Sequence, residues 1–505
     1  MEFRGVRLKK KIDSKNKDTG FFVLRDPEYY SVPLLADDGD ASKRIVSVGD
    51  EVKEGSLLAT PCGRYGNFIY SPCSGKVVGV SRKLNASGVE CDHIILMRDM
   101  NGETQTFEPL KLIDKTQEVL LKRLYESGMV DNFQPFDPSY KKYLLNCKVE
   151  KIIINCTEDD PYNTSDSALI ENFCSEIVEG ARLLKLVAKA EKIVFIFTTA
   201  QKRIVKILQG YLKKLDNKKD VKIKIYPNIY PLHNSRLIGY YETGVMVPEG
   251  DRTAKTRVIV ESPSNCLDFY NAVEKGVPCT KRAVTISGNN CLRRANYFIK
   301  NGTSIEHVLS VVGTKKNDFE NILVYGGIMS GVAQESLDIS VTLAATSILF
   351  CDRNEYAQEK ETVCINCGKC VACCPVKLHV KNIDDAVVER RFSDAKKCGA
   401  EACIECGACS YVCPAKRFLS QRVIYAKEML MGKTAKRPES SEYILVEGED
   451  FKKKKFDSIL QIKENFTLPQ DKGEQVPEVE EMLKVLNRRV EEEKINKKEG
   501  ETDAK

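Results

Sequence analysis

Two stretches of this chain, CINCGKCVACCP at residues 364–375 and CIECGACSYVCP at 403–414, restrict its fold more than anything else in it. Cys364, Cys367, Cys370 and Cys374 precede Pro375 with gaps of two, two and three residues, and Cys403, Cys406, Cys409 and Cys413 precede Pro414 with the same gaps. Such short gaps let one tight loop aim three thiolates at three corners of an iron–sulfur cube, while the fourth cysteine crosses to a second cube. The frames therefore predict two [4Fe–4S] clusters. One takes Cys364, Cys367, Cys370 and Cys413, and the other takes Cys403, Cys406, Cys409 and Cys374. The proline after each frame ends the local helix and turns the chain.

Two other uses of cysteine compete. A disulfide framework suits short secreted chains, whereas this one has 505 residues and opens on MEFRGVRLKKK, with no apolar signal-peptide core. Structural zinc takes four ligands, as paired C-x-x-C elements or Cys with His, and two complete two-two-three-proline frames suit it poorly. The only histidines, His93, His233, His307 and His379, lie far apart in sequence, so no histidine metal site is expected. Cys373 is left over as a small buried residue or a spectator thiol. Of 20 cysteines, the twelve outside the frames follow no second metal spacing and read as reduced thiols in a reducing cytosol.

The charge balance, 78 basic against 72 acidic residues and a net +6, predicts no nucleic-acid partner. No run of eighteen apolar residues occurs. The nearest, ISVTLAATSILF at 339–350, is too short and reads as a buried strand or core segment. The expectation is a chain that is soluble, or that reaches a membrane through a partner.

The order of patterns predicts a multidomain α/β and β fold. IVSVGDEVKEGSLLA (45–59) and IYSPCSGKVVGV (69–80) are strand-like with glycine turns and look like the barrel-sandwich hybrid of lipoyl and biotinyl domains. The hairpin between them, TPCGRYGNF, has no lysine to modify. KIIIN (151–155), KIVFIF (192–197) and VKIKIY (221–226) read as strands. A helical stripe, Leu169, Phe173, Ile177, Ala181 and Leu184, and the helix QKRIVKILQGYLKKL separate them, which gives a βαβαβ run with a parallel sheet. It carries neither G-x-G-x-x-G nor a P-loop. AVTISG (283–288), SIEHVLSVVG and NILVYGGIMSG (321–331) mark a small α+β domain, and FLSQRVIYAKEML (418–430) is an amphipathic helix beside the cysteine frames. FKKKKF (451–456) and the Lys/Glu-rich end read as a charged, largely disordered tail with one weak stripe at Val479, Met482, Leu483, Leu486 and Val490.

In this order the pieces resemble RnfC, the peripheral iron–sulfur subunit of the Rnf ion-translocating electron-transport complex, over roughly residues 20–432. The motifs that carry the likeness are both cysteine frames, VSVGDEVKEGSLLA with SPCSGKV, and GGIMSGVAQ (326–334). The middle domains also resemble the flavin subunit of respiratory complex I. The resemblance implies a barrel-sandwich hybrid at 1–110, a Rossmann-like βαβ domain at 111–255 and a β-grasp (SLBB) domain at 256–350. It implies a helical two-cluster ferredoxin-like domain at 351–435, with the tail at 436–505. It also implies a peripheral protein at the cytoplasmic face of the bacterial inner membrane. There it would pass electrons between a soluble donor (NADH, ferredoxin or flavodoxin) and integral and peripheral Rnf subunits.

The likeness is uneven where such proteins hold FMN and admit NADH. Their G-G-A-G-F-P-T loop is replaced by SGMVDNFQPFDPSYKK (127–142), with Asp131, Asn132, Phe133 and Gln134 where glycines are expected. A phosphate needs close backbone approach and converging N–H groups, and Asp131 adds negative charge beside it, unless Lys141 or Lys142 offsets it. The later G-G-E-x-Q-L-I becomes PLHNSRLI, keeping Leu237 and Ile238. N-G-A-E-C-E-P-Y persists as NCTEDDPY, with Asn155, Glu158, Asp160 and Tyr162 as candidate remnants of a flavin and nicotinamide pocket, or as a strand-end turn kept for folding. The sequence thus predicts two [4Fe–4S] clusters and counts against FMN and NADH. A related cobalamin-processing reductase and a non-catalytic scaffold subunit are the alternatives.

Overall fold

Three consecutive isoleucines, Ile152, Ile153 and Ile154, have no exposed surface, which requires a sheet covered on both faces. In the computed structural model, Lys151–Asn155 lies inside a parallel sheet of order Val221–Tyr226, Lys192–Thr198, Lys151–Asn155, Val258–Glu261. Side chains alternate across it. Ile152, Ile154, Phe195 and Phe197 enter one core, with Leu184 and Leu208 from the helices Cys174–Ala188 and Lys202–Lys213. Ile153, Val194 and Ile196 enter another, with Leu232 and Ile238. The chain winds outward from Lys151–Asn155 in both directions, so a crevice opens at the carboxyl ends of Lys151–Asn155 and Val258–Glu261. The described residues are 3–8, 20–35, 42–62, 66–100, 102–131, 138–144, 148–158, 160–215, 219–246, 256–315, 321–353 and 360–430. The charged tail with its weak stripe, and Asn132, Phe133 and Gln134, lie outside them.

The N-terminal region forms two small sheets around one core of Tyr30, Val32, Leu58, Val77, Ile94 and Leu96. One has the order Tyr29–Pro33, Glu90–Arg98, Gly75–Leu84, Glu51–Val52, and the other the order Lys43–Arg44, Leu57–Thr60, Ile69–Tyr70. A six-stranded mixed sheet follows: Phe21–Val23, Ala295–Lys300, Lys281–Ser287, Ser347–Asp352, Asn321–Tyr325, Val332–Gln334. The helix Ile305–Val312 packs on it through Ile305, Val308 and Val312. The cysteine frames sit among short helices around Leu378, Ile383, Leu419 and Val423.

The structure departs from the sequence reading in its details. The stripe from Leu169 to Leu184 is two helices, Ser165–Asn172 and Cys174–Ala188, because Phe173 leaves helical geometry (φ −133°) and meets Phe21 and Phe298. The parallel sheet takes its fourth strand from Val258–Glu261, beyond residue 255. Phe21–Val23 pairs with Asn296–Phe298, which ties the start of the chain to the six-stranded sheet. Within 339–350, only Ser347 onward is strand, and Ile339, Val341 and Leu343 are buried without regular pairing.

Ile153→Ala should cost about 2–5 kcal/mol of stability, because the site is wholly enclosed and cannot collapse. Chemical denaturation of the two proteins side by side measures this.

Candidate iron–sulfur centres and the crevice of the parallel sheet

Each cysteine frame folds into the same loop. Left-handed backbone occurs at Asn366 (φ 54°), Gly368 (72°) and Lys377 (60°), and again at Glu405 (56°), Gly407 (72°) and Lys416 (51°). Such angles are uncommon outside glycine, so their repetition at one spacing marks two copies of one loop. The winding turns amides toward sulfur. The N–H of Asn366 donates to Cys364 Sγ at 3.5 Å, that of Glu405 to Cys403 Sγ at 3.3 Å and that of Leu378 to Cys374 Sγ at 3.3 Å. Hydrogen bonds of this kind favour negative charge on sulfur.

Two cavities separate the frames' cysteines. Cys364, Cys367, Cys370 and Cys413 line the first, with Lys369, Lys381, Asp384 and Arg417. Cys374, Cys403, Cys406 and Cys409 line the second. The fourth cysteine of each frame thus stands at the cavity of the other. Among the described residues no three His, Cys, Asp or Glu side chains close on a single-ion site. Four sulfurs around each void, with N–H donors behind them, are a donor set that suits a cluster. Cys373 lines neither void; its Sγ donates to the Cys370 carbonyl at 3.5 Å. As a bare thiol Cys403 is pushed up to about 12, chiefly by burial. Ligation replaces its proton with the metal's charge.

A buried carboxylate fixes the two frames relative to each other. Asp384, 1% exposed, accepts from Arg417 Nε at 2.7 Å and Arg422 Nη1 at 2.9 Å. This joins the helix Val380–Val388 to the helix Leu419–Leu430 and the turn before it. The surroundings of the two cavities differ. Cys367 is exposed, and Val363 and Ile365, on either side of Cys364, are 84% and 68% exposed. Cys406 instead packs with Val6, Tyr230, Met329 and Val412. Gly407 lies so close to the GGIMSG turn that a Cβ would come within 2.6 Å of the Met329 carbonyl oxygen.

At the carboxyl end of the parallel sheet sits a buried charged group. Lys142 Nζ lies 2.8 Å from Asp131 Oδ2 and 3.4 Å from Glu261 Oε1, with side-chain exposures of 8%, 1% and 0%. Lys142 also donates to the Val260 carbonyl at 2.8 Å, while Tyr143 OH and Asn265 Nδ2 donate to Glu261 at 3.0 and 2.7 Å. Burial pulls the Lys142 ammonium down, yet Asp131 and Glu261 together hold it above its usual value. Burial raises the Glu261 carboxyl, against the opposing pull of Lys142. Lys142, not Lys141, is the cation that meets Asp131. Glu261 escaped the sequence reading, since no motif marks it.

Asn155, Glu158, Asp160 and Tyr162 gather at the end of Lys151–Asn155, and the bonds seen there run into the fold. Asn155 Nδ2 donates to the His233 carbonyl at 2.8 Å, and its Oδ1 accepts from Thr157 Oγ1 at 2.8 Å. Glu158 accepts from the N–H and Oγ of Ser167, both at 2.6 Å, at the start of the helix Ser165–Asn172. Asp160 Oδ1 accepts from the Tyr162 N–H at 3.0 Å, and its Oδ2 is 2.4 Å from where a Cβ on Gly327 would be. The Tyr162 ring packs with Val324, Leu349 and Cys351. Two carboxylates and one ammonium buried in this crevice form a poor cradle for a phosphate dianion. The described residues therefore do not fit FMN.

The fold and site define a class: an iron–sulfur protein whose dicluster domain follows a barrel-sandwich region and an α/β domain. Comparisons with known proteins narrow it. The RnfC barrel-sandwich hybrid domain model matches residues 3–101, the Nuo51 FMN-binding domain model residues 135–266, and the 4Fe-4S dicluster domain model residues 357–414. The chain is 28% identical over 382 residues to the C subunit of the ion-translocating oxidoreductase complex of Actinobacillus succinogenes, covering 75% of this chain and 54% of that one. It is 28% identical over 356 residues to the C subunit of the same kind of complex in Haemophilus influenzae (strain Rd), covering 69% and 43%. It is also 28% identical over 377 residues to the C subunit of the proton-translocating ferredoxin:NAD(+) oxidoreductase complex of Clostridium ljungdahlii, covering 73% and 81%. The chain is RnfC-like, and it spans about half the length of the first two of these relatives. Among the described residues no helix is long and apolar enough to cross a membrane.

Lys142→Met should destabilise the protein by about 3–5 kcal/mol, because it leaves Asp131 and Glu261 buried without their cation. The sign of its pH dependence follows from Glu261: burial raises its carboxyl pKa in the folded state and the variant removes the opposing pull of Lys142, so the folded variant binds that proton more tightly than the unfolded chain. Its deficit should therefore shrink as pH falls from about 8 to about 5. Denaturation midpoints across that range test this.

Proposed function

We propose that this chain is the electron-transfer subunit of a membrane-bound ion-translocating oxidoreductase of the Rnf type, peripheral at the cytoplasmic face of the bacterial inner membrane. One observation carries the reading: eight framed cysteines divide into two quartets around two cavities, each quartet completed by the other frame. Cys364, Cys367, Cys370 and Cys413 hold one [4Fe–4S] cluster; Cys403, Cys406, Cys409 and Cys374 hold the other. When bound, such a cluster takes up and releases one electron at a time. The chain's own residues hold the thiolates, direct the Asn366, Leu378 and Glu405 amides at sulfur, and pack Met329 and Tyr230 against Cys406 of the second site.

The rest of the chain serves as a mount. We assign 1–110 to an unmodified lipoyl-like barrel-sandwich hybrid, 111–255 to a Rossmann-like domain, 256–350 to an SLBB-like β-grasp domain, 351–435 to the cluster domain and 436–505 to a charged tail. The strand Val258–Glu261 enters the Rossmann-like sheet from just past that boundary. Other Rnf subunits are the membrane partners. The soluble electron partner is a reduced ferredoxin or flavodoxin rather than NADH, since Lys142 is bound to Asp131 in the crevice where a flavin phosphate would need a cation.

Anaerobically prepared protein should hold about eight iron atoms per chain. Cys367→Ala and Cys406→Ala should each remove about half, and Cys373→Ala none. Full iron in Cys374→Ala with loss in Cys373→Ala would overturn the ligand sets.

NADH added to anaerobic protein supplied with FMN should bleach the cluster absorbance little. Dithionite or a reduced low-potential ferredoxin should bleach it fully. Rapid bleaching by NADH, abolished in Glu158→Ala, would show a working flavin pocket and overturn the choice of donor.

A further inference from the structure

We propose that the outer face of the first cysteine loop is the docking surface for an acidic electron-transfer protein that carries its own one-electron centre. The proposal rests on the cluster assignment above. Its centre is apolar: Val363 and Ile365 hold exposed aliphatic side chains against water on both sides of Cys364. Beside them Cys367 is itself exposed, so the rim of the first cavity reaches the surface. Isolated exposed aliphatics are ordinary, but this pair stands at a cavity ringed by sulfur.

The charge around this centre is one-sided. Lys360 and Lys369 are exposed within three residues of Val363 or Cys370. Glu361 is bridged by Arg422 at 2.6 Å, the Asp385 carboxylate pairs with Lys381, and Asp384 is buried between Arg417 and Arg422. Among the described residues the acidic groups on this side are thus paired within the chain, and the lysines add positive charge around an apolar centre. Transient redox interfaces are small, and complementary charge governs how fast they form. The second site lacks this apolar pair: Ile404 is half-buried, and Cys406, the counterpart of the exposed Cys367, packs with Met329, Tyr230 and Val6. A protein that exchanges electrons with this chain from solution therefore meets the first site, and the rim selects a negatively charged one. The exchange is a single electron passing from the partner's centre to the first cluster or back, with no bond made or broken.

The experiment uses the full, cluster-loaded chain and, as probe, an acidic two-cluster [4Fe–4S] ferredoxin. Two variants are compared with the unchanged protein: Lys360→Glu and Val363→Ser, neither of which lines a cavity. Lys360→Glu should slow ferredoxin-driven bleaching about tenfold and weaken equilibrium binding of the oxidised ferredoxin in step. Raising salt should slow the unchanged protein more than this variant. Val363→Ser should weaken binding at every salt concentration. Iron content and bleaching by dithionite should stay the same in both. Unchanged ferredoxin binding and rate in both variants, with full iron, would overturn the docking surface alone. A dimer of the chain that Val363→Ser dissolves, with ferredoxin binding intact, would assign the face to self-association and overturn it too. Absence of iron from the unchanged protein would overturn the cluster assignment, and the docking surface with it.

Discussion

Neither cavity can be closed by one frame alone. Cys374 leaves its own loop to line the second cavity, and Cys413 leaves its own to line the first. The two frames must therefore be folded against each other before either set of four sulfurs exists. Metal ligation in such a domain is coupled to folding, since the unfolded chain holds no preformed site. The Asp384 bridge to Arg417 and Arg422 makes the same connection in protein alone, from the helix after the first frame to the turn after the second. Removing either arginine would leave Asp384 with one ion-pair partner instead of two, in a region that depends on correct register.

The near-symmetry of the loops ends at their surroundings. Asn366 and Glu405 share one backbone conformation, as do Gly368 and Gly407. Yet one loop faces outward and the other meets the GGIMSG turn so closely that only glycine fits at 407. Identical local geometry is thereby placed in two dielectric settings. Burial and hydrogen bonding to sulfur are the means by which a protein separates the potentials of like clusters. The two sites thus have an outer and an inner end, with the inner end against the domains that carry the parallel and mixed sheets.

Much of this was legible in the sequence because it is encoded locally. The cysteine frames specify their own loops, and the continuous apolar runs at 152–154 and 193–197 specify strands buried on both faces. The expected ligand residues are the ones that line the two cavities. What the sequence concealed is long-range. Phe173 fits a helical period, and only Phe21 and Phe298, distant in the chain, explain why the helix breaks there. Phe21–Val23 has too few residues to declare a strand and acquires one from Ala295–Lys300. Asp131 could be read as an obstacle to a phosphate, and Lys142 as a neighbour able to offset it. That Glu261, more than a hundred residues on, would complete the group could not be read at all.

That group explains how the altered loop is tolerated. An isolated carboxylate as buried as Asp131 would be costly, and it would take up a proton rather than stay charged. Lys142 pairs with it at 2.8 Å, and Val260 occupies a further donor of the same ammonium. Glu261 then adds a second carboxyl to one cation, a balance that Tyr143 and Asn265 support by donating hydrogen bonds. The crevice of a sheet wound in both directions is where such folds place ligands. Here it holds Asp131, Lys142 and Glu261, buried and paired with one another. An incoming phosphate would have to displace Asp131 from Lys142 and leave that carboxylate buried without its cation. The acid at 131 therefore does more than remove a glycine: it ties up the positive charge an anionic ligand would need.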